Sequence, residues 1–92
     1  MITVEDRFIV NTEKFISSNI GDEIILMNLE TGNYVALNVV SADIWRQAEK
    51  ETSGQKIINY LLQQYNVEEE TCRAQTMTCI EDMLEKGLLC KI

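Results

Sequence analysis

Apolar residues run together or alternate up to Asn38 and recur every three to four positions after it, so the pattern changes from strand to helix once along the chain. Arg7 to Asn11 (Arg-Phe-Ile-Val-Asn) is a short aromatic and β-branched stretch and predicts a first strand. Gly21-Asp22 marks a turn. Glu23 to Leu29 is apolar on both alternating sets, Ile24/Leu26 and Ile25/Met27/Leu29, which predicts a second strand covered on both faces. Glu30-Thr31-Gly32-Asn33 then supplies a glycine and an asparagine, which tolerate positive φ, before a third apolar run, Tyr34 to Asn38. That spacing is a hairpin. Its second arm is short and closes the sheet, so its outer side carries unpaired backbone groups unless something covers them.

The helical period begins at Ser41, taken as an N-cap, with Asp43 in the first turn where the helix dipole favours negative charge. This helix should run to about Lys50 and bury Ile44, Trp45 and Ala48. Ser53 caps a second helix with one buried stripe, Ile57, Ile58, Leu61, Leu62 and Tyr65. A third begins near Glu68, carries Glu68, Glu69 and Glu70 at its positive end, and places Cys72, Thr76, Cys79, Ile80, Met83 and Leu84 on one face. Gly87 stops it, and Leu88 to Ile92 is a tail strand or a packed end. The predicted fold is α+β: a three-stranded antiparallel sheet followed by three helices, winged helix-turn-helix-like in outline. Proline is absent and no repeat or linker divides the chain, so residues 1–92 are expected to form a single domain.

With 92 residues the radius of gyration should be roughly 13 Å, which leaves little room for a deep cleft. The 46% apolar and 25% charged residues are those of a folding chain rather than a disordered one. Fifteen acidic against eight basic residues give a formal net charge of -7, which repels phosphate backbones and anionic lipid headgroups. The basic residues are scattered, so nucleic acid is an unsuitable partner. The strongly apolar run Ile24 to Met27 is too short to span a bilayer.

Cysteine appears three times, at Cys72, Cys79 and Cys90, and histidine not at all. Cys72 and Cys79 would lie about 10 Å apart by helical rise, too far for a disulfide. Either could pair with Cys90, but reduced, partly buried thiols are the plainer reading, and with the acidic residues Glu5 and Asp6 near the N-terminus they predict a cytoplasmic protein. Without histidine the ordinary Cys–base or Ser–base pair cannot be assembled, and the thiols lack the C-x-x-C spacing of redox or zinc sites. Asp22-Glu23 and Glu81-Asp82 are sequence neighbours that point in different directions, and Glu68 to Glu70 fits a helix start better than a calcium loop. No catalytic residue, metal or cofactor is expected.

What remains is a strand edge beside a helix. Cys72, Thr76, Cys79 and Met83 are smaller or softer than the leucines that close a core. Composition favours packing against Trp45 and the sheet. The alternative is a groove beside Tyr34 to Asn38 that accepts an extended peptide as an added strand.

The ordered set Gly21-Asp22-Glu23, Leu29-Glu30-Thr31-Gly32-Asn33-Tyr34, Leu37-Asn38, Ile44-Trp45, Tyr65-Asn66-Val67 and Leu84-Glu85-Lys86-Gly87-Leu88-Leu89 resembles the PqqD family. Its members are also described as recognition elements of ribosomally synthesised, post-translationally modified peptides. The likeness spans about Gly21 to Leu89 and rests on the joint spacing of motifs that are unspecific singly. It implies a non-catalytic adaptor that binds the leader of a precursor peptide as a fourth strand beside the third, with the third helix as the other wall. Carried onto this chain, the backbone partners would be Tyr34, Val35, Ala36, Leu37 and Asn38. The wall would draw on Cys72, Gln75, Thr76, Cys79 and Met83, with Arg73 at the rim, and Trp45 matches the family's buried tryptophan. Val40-Ser41 departs from the usual small Thr-Gly or Thr-Ala pair, and Gln75 stands where an acidic residue is common.

The partners so implied are the precursor's leader peptide, a leader peptidase and a cyclase or radical SAM enzyme, with the adaptor a monomer. A free-standing, acidic chain with this spacing leans to lasso peptide biosynthesis. The alternative is a chaperone for a radical SAM peptide-modifying enzyme; more remote is a winged-helix nucleic-acid-binding regulator, which the helical outline favours and the charge opposes.

Overall fold

The computed structural model describes residues 2–92 and orders them as β1 (Arg7–Val10), β2 (Phe15–Ile20), β3 (Glu23–Asn28), β4 (Tyr34–Leu37), α1 (Val39–Gln47), β5 (Thr52–Ser53), α2 (Gly54–Gln64), α3 (Glu69–Glu85) and β6 (Leu89–Lys91). The fold is α+β. Its strands form two antiparallel sheets of three, ordered β2-β3-β4 and β5-β1-β6.

The three-stranded sheet is therefore not composed as the pattern suggested. Arg7 to Asn11 does not pair with Glu23 to Leu29; that place is taken by β2, in register from Phe15↔Asn28 to Ile20↔Glu23 around the Gly21-Asp22 turn. Gly21 adopts φ 62, the left-handed conformation that glycine enters without strain. β2 escapes pattern reading because Phe15 alone is buried in it, and Ser17, Ser18 and Asn19 look like loop. β1 is instead the middle strand of the second sheet, where Phe8 faces Thr52 and Lys91, and Val10 faces Leu89. The chain's tail is thus a strand, paired across nearly the whole sequence.

α1 starts earlier than expected. Asn38, not Ser41, is the N-cap: its Oδ1 accepts the Ser41 N–H at 2.9 Å. Asp43 consequently lies beyond the first turn, and the helix ends at Gln47 rather than near Lys50. Ser53 does cap α2, accepting from the Lys56 N–H at 3.3 Å. α3 carries Glu69 and Glu70 in its first turn and ends in a Schellman motif, with Leu88 N–H bonded to Met83 C=O at 2.8 Å and Gly87 N–H to Leu84 C=O at 3.1 Å. Trp45, Phe8, Ile24, Leu26, Ile44, Ile57, Ile58, Ile80 and Leu88 are the large side chains at the centre of the core, which joins both sheets to all three helices. Among the described residues no helix is long and apolar enough to cross a membrane.

Candidate functional site

Among the described residues β4 is paired on one side only. The hairpin closes with Asn28 donating its N–H to the Asn33 carbonyl at 2.8 Å, while the Asn28 side chain accepts from the Glu30 and Thr31 amides at 2.8 and 3.2 Å. Antiparallel pairs alternate between bonded and non-bonded, so that closing bond sets the phase for the register Met27↔Tyr34, Leu26↔Val35, Ile25↔Ala36 and Ile24↔Leu37. Val35 and Leu37 turn their backbone groups toward β3. Tyr34 and Ala36 turn theirs to the open side, where another strand can dock.

Where β4 gives way to α1, the chain borders an apolar pocket of about 130 Å³. Val40 lies on one side, Leu61 and Tyr65 at the end of α2, Val67 in the following connection, and Cys72, Gln75 and Thr76 on α3. The next turns of α3 add a shallow shelf, with Ala74, Thr78, Cys79 and Asp82 continuing from Gln75. Ser41 Oγ lies 3.6 Å from Cys79 Sγ, so α1 and α3 touch between these two hollows. Small side chains at Cys72 and Thr76, whose sulfur and hydroxyl lie 3.8 Å apart, leave the space that larger residues would fill.

Tyr65 donates its hydroxyl to Asp43 Oδ2 at 2.6 Å. That bond to a carboxylate, helped by desolvation, pushes the phenol up to about 12. Asp43 Oδ1 is 3.6 Å from Arg46 Nη1, and Arg46 in turn donates to Asn19 Oδ1 at 3.1 Å and to the Asp22 carbonyl at 3.3 Å.

The expected site residues fall into four groups. Tyr34 and Ala36 have both exposed side chains and outward backbone; Asn38 is exposed, but its side chain is engaged in capping α1. Cys72, Gln75, Thr76 and Cys79 line the two hollows on α3. Leu37 and Met83, 5% and 2% exposed, are core side chains, and Val35 packs half-buried against the core. Arg73 points to another flank of α3, pairing with Glu69 at 3.7 Å and bordering a shallow depression with Glu70 and Met77. Sequence reasoning missed Val40, Leu61, Tyr65 and Val67 as lining residues. The helical stripe assigns Leu61 and Tyr65 to the core, where Leu61 is buried and Tyr65 packs half-buried against it; both also border the cavity.

The solvent face of the β2-β3-β4 sheet is apolar for an exposed surface. Ile16, Ile20 and Tyr34 are 51%, 60% and 70% exposed, with half-buried Ile25 and Met27 between them. All three thiols are free, Cys72 buried, Cys79 half-buried and Cys90 exposed. Among the described residues no group of three or more His, Cys, Asp or Glu could hold a metal ion.

A family model described as Coenzyme PQQ synthesis protein D (PqqD) matches residues 23–89. Among solved structures, the chain is similar to one described as TbiB1 in complex with the TbiA(beta) leader peptide. The TM-score is 0.79 at 26% identity, over 88% of this chain and 93% of that one. No curated protein matches in sequence.

Proposed function

The chain belongs to the PqqD family, and from that premise we propose that it is a non-catalytic adaptor that binds the leader segment of a ribosomally synthesised precursor peptide and presents it to a leader peptidase. The leader adds as a strand to the open edge of β4, taking backbone bonds from Tyr34 and Ala36. One apolar side chain enters the pocket beside Val40, since cavities of about 150 Å³ accept a benzene-sized group. Gln75 and Cys79 contact the segment along α3. The observation that carries this reading is the unpaired β4 edge ending at that pocket, in a chain whose solved likeness is described with a leader peptide bound.

Lasso peptide biosynthesis is the pathway favoured, with the chain working as a single cytoplasmic domain and monomer. The apolar solvent face of the same sheet, which the bound leader would extend by a strand, is then the surface left for the enzyme that receives it. The family's description supports a second pathway, in which the leader is held for a radical SAM enzyme. Fluorescence titration with a synthetic leader from the precursor encoded beside this chain tests the reading, followed by backbone amide shifts. Saturable binding with shifts at Tyr34, Ala36, Gln75 and Cys79 is expected; absence of binding overturns it.

A further inference from the structure

Tyr65 occupies an unusual place. It is the C-cap of α2, with extended backbone at φ -128 and ψ 146, so the helix has ended and the chain is leaving toward Val67. Its N–H still bonds Leu61 C=O at 2.9 Å, but its carbonyl side belongs to the connection that, with Val67 47% exposed, forms one wall of the pocket. A wall built on a connection is held by fewer backbone bonds than one built on a helix. What holds this one is the phenol, tied to Asp43 in the middle of α1.

Asp43 does not stop there. One carboxylate oxygen takes the Tyr65 hydroxyl and the other faces Arg46, whose guanidinium reaches Asn19 on β2 and the Asp22 carbonyl in the β2–β3 turn. The Asp43 side chain is only 15% exposed, so this is a shielded contact rather than a solvated surface pair. Three segments distant in sequence are thereby joined by one run of polar contacts between the pocket and the β2–β3 turn.

We propose that Tyr65 is a positioning residue of the peptide groove, and that Tyr65, Asp43 and Arg46 form a strut that sets the pocket wall and couples it to the β2–β3 turn. The inference rests on the leader-binding reading of the groove. It also assigns the pocket its chemistry. With the phenol hydroxyl committed to Asp43, the wall offers a leader side chain the apolar ring and no free hydroxyl, so the pocket selects by shape for an uncharged, apolar group.

The test compares Tyr65→Phe, Asp43→Ala, Asp43→Asn and the double variant Tyr65→Phe/Asp43→Ala by titration with the same synthetic leader. Tyr65→Phe should weaken binding about tenfold, and Asp43→Ala, which removes the Arg46 contact as well, at least as much; the double variant should bind no more weakly than Asp43→Ala, because that substitution already removes the Tyr65 bond. Asp43→Asn, whose side-chain oxygen still accepts the phenol, should bind within about threefold of the parent. Parent-like affinity in Tyr65→Phe overturns the positioning role while leaving the adaptor reading intact. Should the parent itself fail to bind, the adaptor reading falls, and the peptide-free spectra decide the strut: Tyr65→Phe should shift the Asn19 and Asp22 amides, and unmoved amides overturn it.

Discussion

The Ser41 hydroxyl and the Cys79 thiol meet with 3.6 Å between oxygen and sulfur, which joins the start of α1 to the middle of α3 beside the groove. Cys79 is half-buried there and lines the shelf on α3. Cys79→Glu should fold, because the side chain can swing along the shelf to water, yet lose leader binding by tenfold or more, on the order of the cost of bringing a charge against an apolar segment. Circular dichroism checks the fold and titration the affinity. A variant that folds and binds like the parent would place Cys79 outside the groove.

Proline separates the two sides of β4. Ala36→Pro removes an N–H that faces the open edge, so the leader should bind more weakly while the urea midpoint stays near that of the parent. Val35→Pro removes a bond to β3 and should cost about 1–3 kcal/mol of stability. Urea denaturation of both variants, read beside their affinities, checks the assignment; equal destabilisation would mean the phase of the hairpin is the other one.

Trp45 is 2% exposed at the centre of the core. Truncation to alanine should cost about 3–5 kcal/mol, a large part of the roughly 5–15 kcal/mol available to a small domain. The expected outcome is a strongly lowered urea midpoint in chemical denaturation, with any loss of leader binding following from the unfolded fraction.

Tyr65 predicts an alkaline limit. Its phenol is raised from 10.0 to about 12 in the folded chain, chiefly by the Asp43 bond. A raised value means the proton is held more tightly when folded, so this contribution is complete below pH 10 and disappears as pH climbs through about 12. Thermal melts from neutral pH upward should therefore lose part of their midpoint in that window, and Tyr65→Phe should lack that component of the decline.

How legible was this in the sequence? The β3–β4 hairpin, α2 and α3 could be read because local patterns specify them: a glycine-containing turn between apolar runs, a serine cap, and long stripes at helical spacing. β2 could not, because Ser17, Ser18 and Asn19 are exposed on a strand with one buried side chain. Nor could the second sheet, since β1 pairs with a two-residue strand and with the tail, and no local signal encodes such distant partners. Asn38 follows an apolar run as a strand end would, yet it caps a helix. At the site, residue size drew attention to Cys72, Thr76 and Cys79, whereas Tyr65 carries a periodicity indistinguishable from a core residue. Its role depends on Asp43, a partner that only folding supplies.

The brevity of β4 constrains whatever binds beside it. Four residues at about 3.3 Å each give an edge of roughly 13 Å, and only two of them offer backbone groups outward. It cannot lengthen at its far end, because Asn38 is already holding the first turn of α1. Main-chain pairing is thus capped at a few bonds that any extended sequence could make, too few for strong or choosy attachment on their own. For the leader proposed to bind there, discrimination would come from the side chains that reach past the strand, so changing the client would mean rebuilding the hollows on α3 and leaving the strand alone.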